Sequence, residues 1–191
     1  MEFEKVIKRI NERLAVYERK GLTDSANYQR IIERIQLYDL PTTESKNGQL
    51  RLSRKKDDIQ EINLNDLVKI DNLPSLKQEV AITKKKLTER LERKPTREEI
   101  ERDVKNYGRL EQWAKDNLPE LYIESKSGNE KAQELESMFD SGLRNFDYDY
   151  IFQKIQEYEL SKNQIFKDLK NESSTFFNED MFNNEDDFTG I

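Results

Sequence analysis

Apolar residues recur at steps of three and four along the first twenty positions: Phe3, Val6, Ile7, Ile10, Leu14 and Tyr17. That spacing places them on one side of a helix and predicts an amphipathic α-helix over Glu2–Lys20, with Gly21 just beyond its last turn. Asp24 can cap a second helix through about Tyr38, with Tyr28, Ile31, Ile32 and Ile35 on one face and Pro41 as its stop. The two make an antiparallel helical hairpin. After the polar loop "LPTTESKNG", Leu40–Gly48, the residues Leu50 and Leu52 alternate with Arg51 and Ser53. Here a short strand or an extended basic arm is expected.

Farther on, "NLNDLVKIDNLP" reads as a short helix from about Asn65, and Ser75 opens a long one whose stripe is Leu76, Val80, Leu87 and Leu91. Thr96 and Glu99 have the spacing of a capping box, in which each side chain satisfies the other's backbone N–H. They predict a helix from Arg97 to about Asp116 that buries Ile100, Val104, Tyr107 and Trp113 and stops before Asn117–Pro119, with "LYIESKSGN" as a connector. A helix from about Glu130 to Met138 ends at an Asp-Ser-Gly turn, and Ile151, Phe152, Ile155 and Tyr158 mark another to about Leu160. No internal repeat is present. From Asn171 the chain is too acidic and polar to fold alone, so a disordered tail is expected.

The expected fold class is therefore mainly α: an elongated helical protein with roughly four to six amphipathic helices, at most one short strand or hairpin, and a disordered acidic C-terminal tail. Its regions are 1–60, the helical hairpin and basic arm; 61–117, the central long-helix region; 129–170, an acidic helical region; and 171–191, the tail. A break is expected near Asn117–Gly128.

Composition sharpens this picture. Only 34% of residues are hydrophobic and 38% are charged, so the core is thin and burial is expected to be completed against a partner. There is no cysteine and no histidine, which excludes disulfides, thiolate or imidazole metal sites, a cysteine nucleophile and any triad with a histidine base. No apolar run approaches the ~20 residues of a membrane span, and "MEFEKVIKRI" has no signal-peptide pattern. A soluble, intracellular protein with no membrane partner is expected. The net charge of −6 is unevenly distributed: residues 1–60 carry +3, 61–115 carry +2 and 116–191 carry −11. Such asymmetry points to different electrostatic partners for the two ends.

Four groups of side chains invite a chemical reading. Arg51, Arg54, Lys55 and Lys56 follow a glycine and can reach DNA phosphates, although Asp57 and Asp58 come next and a solvated surface explains them equally. Lys84, Lys85 and Lys86 point in three directions on a helix, one of them beside the core. Asp140, Asp147 and Asp149 can be drawn as an oxygen-ligand Mg²⁺ site, yet acidic neighbours are expected by chance in so acidic a region and no metal site of the chain's own is assigned. In the tail, Phe176, Phe177, Phe182 and Phe188 alternate with carboxylates as in short docking peptides, beside the modifiable hydroxyls Ser173, Ser174 and Thr175. The stretch "KPTREEIERDV" resembles helix openings in some sigma-factor and helix-turn-helix domains, though the capping box accounts for the same residues.

Two stretches together resemble the terminal proteins of small protein-primed phages, which remain covalently linked to the 5′ ends of a linear genome. They are "INERLAVYERKGLTDSANYQRIIERI", similar to a basic helical start, and "FDSGLRNFDYDYIFQKIQEYE", similar to the priming region. The resemblance covers about a third of the chain. It implies that Ser141, in its Phe-Asp-Ser context, is the priming hydroxyl, with Ser173, Ser174, Thr175, Tyr148 and Tyr150 as rivals. It further implies that Asp140, Asp147 and Asp149 belong to an acidic part lying in the DNA channel of a partner DNA polymerase. Other implied partners are the end of a linear DNA genome and capsid or portal proteins. The chain would be a primer and not an enzyme, with no cofactor of its own and Mg²⁺ supplied at the polymerase site. It would reside in the host cytoplasm and be packaged in the virion. The chain is short for that family and less basic at its front. The alternatives are a helical scaffolding or internal structural protein of a virus particle, and a small DNA-binding regulator built around the Thr96 helix.

Overall fold

In a computed structural model, residues 2–59 and 62–162 are described. They are mainly helical with one small hairpin of strands. The chain divides into two compact units, Met1–Leu118 and Pro119–Ile191.

The first unit opens with α1 (Glu2–Arg19), whose Val6, Ile7, Ile10, Leu14 and Tyr17 are all buried. Gly21 follows at φ 61° and its N–H reaches the Glu18 carbonyl, closing the helix in the left-handed conformation that glycine adopts without strain. Helix α2 (Ala26–Leu37) is capped by Ser25, whose side chain accepts from the Tyr28 N–H. Asp24, expected as the cap, pairs instead with Arg109 at 2.7 Å. Strands β1 (Thr42–Glu44) and β2 (Leu50–Leu52) pair antiparallel with Thr42 opposite Leu52. The short α3 (Lys56–Ile59) and α4 (Leu64–Asp71) follow, the latter capped by Asn63. Arg13 of α1 donates to the carbonyls of Asp71, Leu73 and Pro74 at 2.8–3.0 Å, satisfying acceptors where α4 ends.

Helix α5 (Leu76–Leu91) starts in a capping box between Ser75 and Gln78. Its buried positions are Leu76, Glu79, Thr83 and Leu87, while Val80 packs against the core partly buried and Leu91 is half-buried, so two polar residues join the expected stripe. Tyr17 explains the first of them: its hydroxyl donates to the Glu79 carboxylate at 3.2 Å, which gives a buried charge a partner. The Tyr17 phenol is pushed up by burial and by the Glu79 charge. The core joins Ile7, Ile10 and Leu14 of α1 to Ile31 and Ile35 of α2, Leu67 and Ile70 of α4, and Val104. Regions 1–60 and 61–117 thus share one core.

Helix α6 (Arg97–Lys126) begins at the expected capping box, with the Thr96 N–H donating to Glu99 at 2.7 Å and the Glu99 N–H to the Thr96 hydroxyl at 3.2 Å. It does not stop at Asp116. The helix passes through Pro119, and the expected connector is helical as far as Lys126. A proline inside a helix costs about 3 kcal/mol through a lost hydrogen bond and a clash, but Leu121 and Ser125 beyond it are buried four residues apart, and that packing outweighs the loss. Along its first half, α6 runs in the same direction as α2, linked by Arg30–Glu111 and Glu33–Lys115 at 2.6 Å each as well as by Asp24–Arg109. Gly108 makes that approach possible. A Cβ there would lie 1.9 Å from the Asp24 carbonyl oxygen and 2.7 Å from the Ala26 nitrogen.

In the second unit, α7 (Glu130–Ser141) buries Ala132, Leu135 and Met138. The helix at 148–162, α8, buries Tyr148, Ile151, Ile155 and Tyr158. Ion pairs Glu134–Lys154 at 2.8 Å and Lys131–Glu157 at 3.3 Å cross between them and set them antiparallel. The tail expectation, with Phe176, Phe177, Phe182, Phe188, Ser173, Ser174 and Thr175, falls outside the described residues.

Candidate functional site

Helix α7 is started by Asn129, whose side-chain oxygen accepts from the Lys131 and Ala132 N–H groups. At its other end the helix extends past Met138 and includes Asp140 and Ser141, so the hydroxyl expected in a turn sits on the last helical residue. The turn begins one position later, at Gly142 with φ 92°. Ser141 is exposed. Its Oγ donates to the Ser137 carbonyl at 2.7 Å, and the Asn145 side-chain amide donates to the Ser141 carbonyl at 2.6 Å. A short 3₁₀ turn, Leu143–Asn145, leads to α8.

The three aspartates have separate positions. Asp140 is exposed and accepts from the Tyr122 hydroxyl at 3.4 Å. Tyr122 is shifted up by its partial burial and by the Asp140 charge. Asp147 caps α8: its carboxylate accepts the Asp149 N–H at 2.9 Å, where a negative charge also suits the positive end of the helix. Asp149 is exposed in the first turn of α8. Among the described residues no group of three or more acidic side chains has the arrangement of a metal site. Of the rival phenols, Tyr148 is 3% exposed and faces the core, whereas Tyr150 is 44% exposed with the Lys154 ammonium 5.5 Å from its ring centre.

Arg51 is set apart from the rest of the basic run. It is turned into the hairpin, where it forms a two-pronged ion pair with Glu18, the two side chains being 17% and 5% exposed. Tyr28 donates to the same carboxylate at 3.2 Å, and its phenol is pushed up to about 12 by burial and by the Glu18 charge. That leaves Arg54 and Lys55 facing solvent, and Lys56 at the start of α3. The expectation that one of Lys84, Lys85 and Lys86 lies beside the core is corrected: all three are exposed, because Glu79, Thr83 and Leu87 take the inward positions. With Lys77, the pair Lys84 and Lys85 lines one side of α5 at spacings of seven and eight residues.

Sequence reasoning passed over Asn145. The available signal was a glycine directly after the helical run with an amide three residues beyond it, the composition of a helix C-terminal turn. No described helix is long and apolar enough to cross a membrane. No family model, curated protein or solved structure matches the chain.

Proposed function

We propose that this chain is a genome-terminal priming protein, which offers the Ser141 hydroxyl to a partner DNA polymerase and remains bonded to the 5′ end of a linear DNA. One observation carries the reading: Ser141 is an exposed hydroxyl on the final residue of a helix, next to a glycine and with exposed Asp140 and Asp149 close by in sequence. In the proposed step the Ser141 Oγ forms a bond to the α-phosphorus of a deoxynucleoside triphosphate while the α–β phosphoanhydride bond breaks. Pyrophosphate leaves with that electron pair, and the hydroxyl proton passes to solvent. A serine has no need of a histidine in this scheme, since metal ions held by the polymerase lower the hydroxyl's pKa and stabilise the leaving oxygen. The chain's own residues present the nucleophile: the Ser141 hydroxyl donates to the Ser137 carbonyl, a bond that uses its hydrogen and leaves the oxygen lone pairs for the attack. The charge of −11 over residues 116–191 suits a basic nucleic-acid channel, where complementarity sets encounter rate and orientation. The protein would work in the host cytoplasm and travel in the virion.

The test is peptide mass mapping of natively produced protein after exhaustive nuclease digestion. A nucleotide on the Ser141 peptide supports priming; one on the Ser173–Thr175 peptide keeps the function and moves the site. Unmodified protein recovered with its genome ends the proposal. A second reading, a scaffolding protein, draws on the exposure of Leu37 (76%), Ile123 (70%) and Leu160 (61%). It predicts oligomers that form equally well in Ser141→Ala.

A further inference from the structure

The end of α7 is poorly supported by its own residues. Its last turn contains no basic side chain and carries Asp140, whose negative charge opposes the negative end of the helix dipole. The carbonyls there still need donors. The Gly142 N–H takes the Phe139 carbonyl at 3.1 Å, and the Asn145 side chain takes that of Ser141 at 2.6 Å. A carbonyl only accepts, so the amide nitrogen of Asn145 must be the atom that faces it. The Asn145 N–H returns to the Gly142 carbonyl at 3.0 Å, which fixes the turn from its other side.

We propose that Asn145 is the positioning residue of the Ser141 hydroxyl: by donating to the Ser141 carbonyl it keeps the last turn of α7 wound, so that Ser141 Oγ stays bonded to the Ser137 carbonyl and open outwards. This rests on the priming reading of Ser141. Without the amide, the turn from Ser137 to Ser141 frays, and the oxygen samples directions that miss the incoming phosphorus. Asn145 touches neither nucleotide nor phosphorus in this scheme and acts through Ser141 alone.

The test uses the full chain produced alongside the polymerase of its own replicating genome, as wild type, Asn145→Asp and Asn145→Gln. Asn145→Asp keeps the shape and removes the donor, whereas Asn145→Gln keeps an amide. Losing one such bond should speed amide exchange at Ser141 and Gly142 by about five- to tenfold and cut nucleotide labelling of Ser141 by a similar factor. The deoxynucleotide concentration for half-maximal labelling should stay unchanged, and Asn145→Gln should recover part of the loss. Equal labelling of Ser141 in wild type and Asn145→Asp, or unchanged exchange at the helix end, overturns the positioning role and leaves priming standing. A loss of exchange protection along the whole of α7 also overturns it, making Asn145 a general support of the fold. A wild-type Ser141 that carries no nucleotide overturns the priming reading, and the positioning role with it.

Discussion

Residues 1–118 and 119–191 solve the problem of a thin core in different ways. The first unit, with a net charge of +4, uses long polar side chains as internal fastenings: Arg13 on the carbonyls after α4, Arg51 on Glu18, Tyr17 on Glu79. The second, with a net charge of −10, has a smaller set of buried residues among those described, and its ion pairs join Lys154, only 15% exposed, to carboxylates more open to solvent, Glu134 at 39% and Glu157 at 30%. Buried fastenings are costly to break, because removing one partner strands the other, while surface pairs contribute little and are screened by salt. The lesson is that the first unit closes pairs such as Arg51–Glu18 on both sides, whereas the described pairs of residues 119–162 leave the carboxylate partner partly open to solvent.

The strongest challenge to this comparison is Gly108→Ala. With its new Cβ directed at the Asp24 carbonyl, the variant should lose at least the ~3 kcal/mol at the upper end of ordinary overpacking and melt the first unit early in a thermal scan. An unchanged midpoint would mean that α2 and α6 do not approach so closely. Next in size is Arg51→Met. Stranding Glu18 should cost about 3 kcal/mol, read by urea denaturation, and Arg51→Met with Glu18→Leu should restore most of it. If instead Arg51→Met unfolds normally and loses only DNA affinity, the residue belongs to a binding surface and the comparison fails. The smallest effect is expected for Lys154→Met. Hydrogen bonds from Lys154 hold Glu157 below the usual carboxylate range. A carboxylate lowered on folding adds stability above its unfolded value and loses that contribution as pH falls through its folded value. In the variant, Glu157 should titrate closer to the usual range by NMR, while the thermal midpoint near neutrality hardly moves. A large drop in midpoint would show that the second unit also depends on fixed ion pairs.

Local features were the legible ones. The α1 stripe and the Thr96–Glu99 box are complete within a few turns of chain, so their residues alone predict them. Glu79 had no place in the expected stripe, and its partner, Tyr17, is 62 positions away; Arg51 looked free because Glu18 is 33 positions away. The end of α6 was misplaced for a related reason: Pro119 is a local stop signal, whereas the burial of Leu121 and Ser125 that overrides it is a property of packing. At the candidate site the exposure of Ser141 could be anticipated, but its place within α7 depends on the Asn145 amide.

Arg13 also bears on the entropy that folding must overcome. Helix α4 has eight residues, too few to persist alone in water, and the carbonyls that follow it are satisfied from a side chain 58 to 61 positions earlier. The Asn72 N–H closes the last turn locally on the Val68 carbonyl at 2.9 Å, but the Arg13 donors reach Asp71, Leu73 and Pro74 only once the intervening chain has closed into a loop. The entropy of closing that loop is therefore part of what the contacts around the end of α4 must offset.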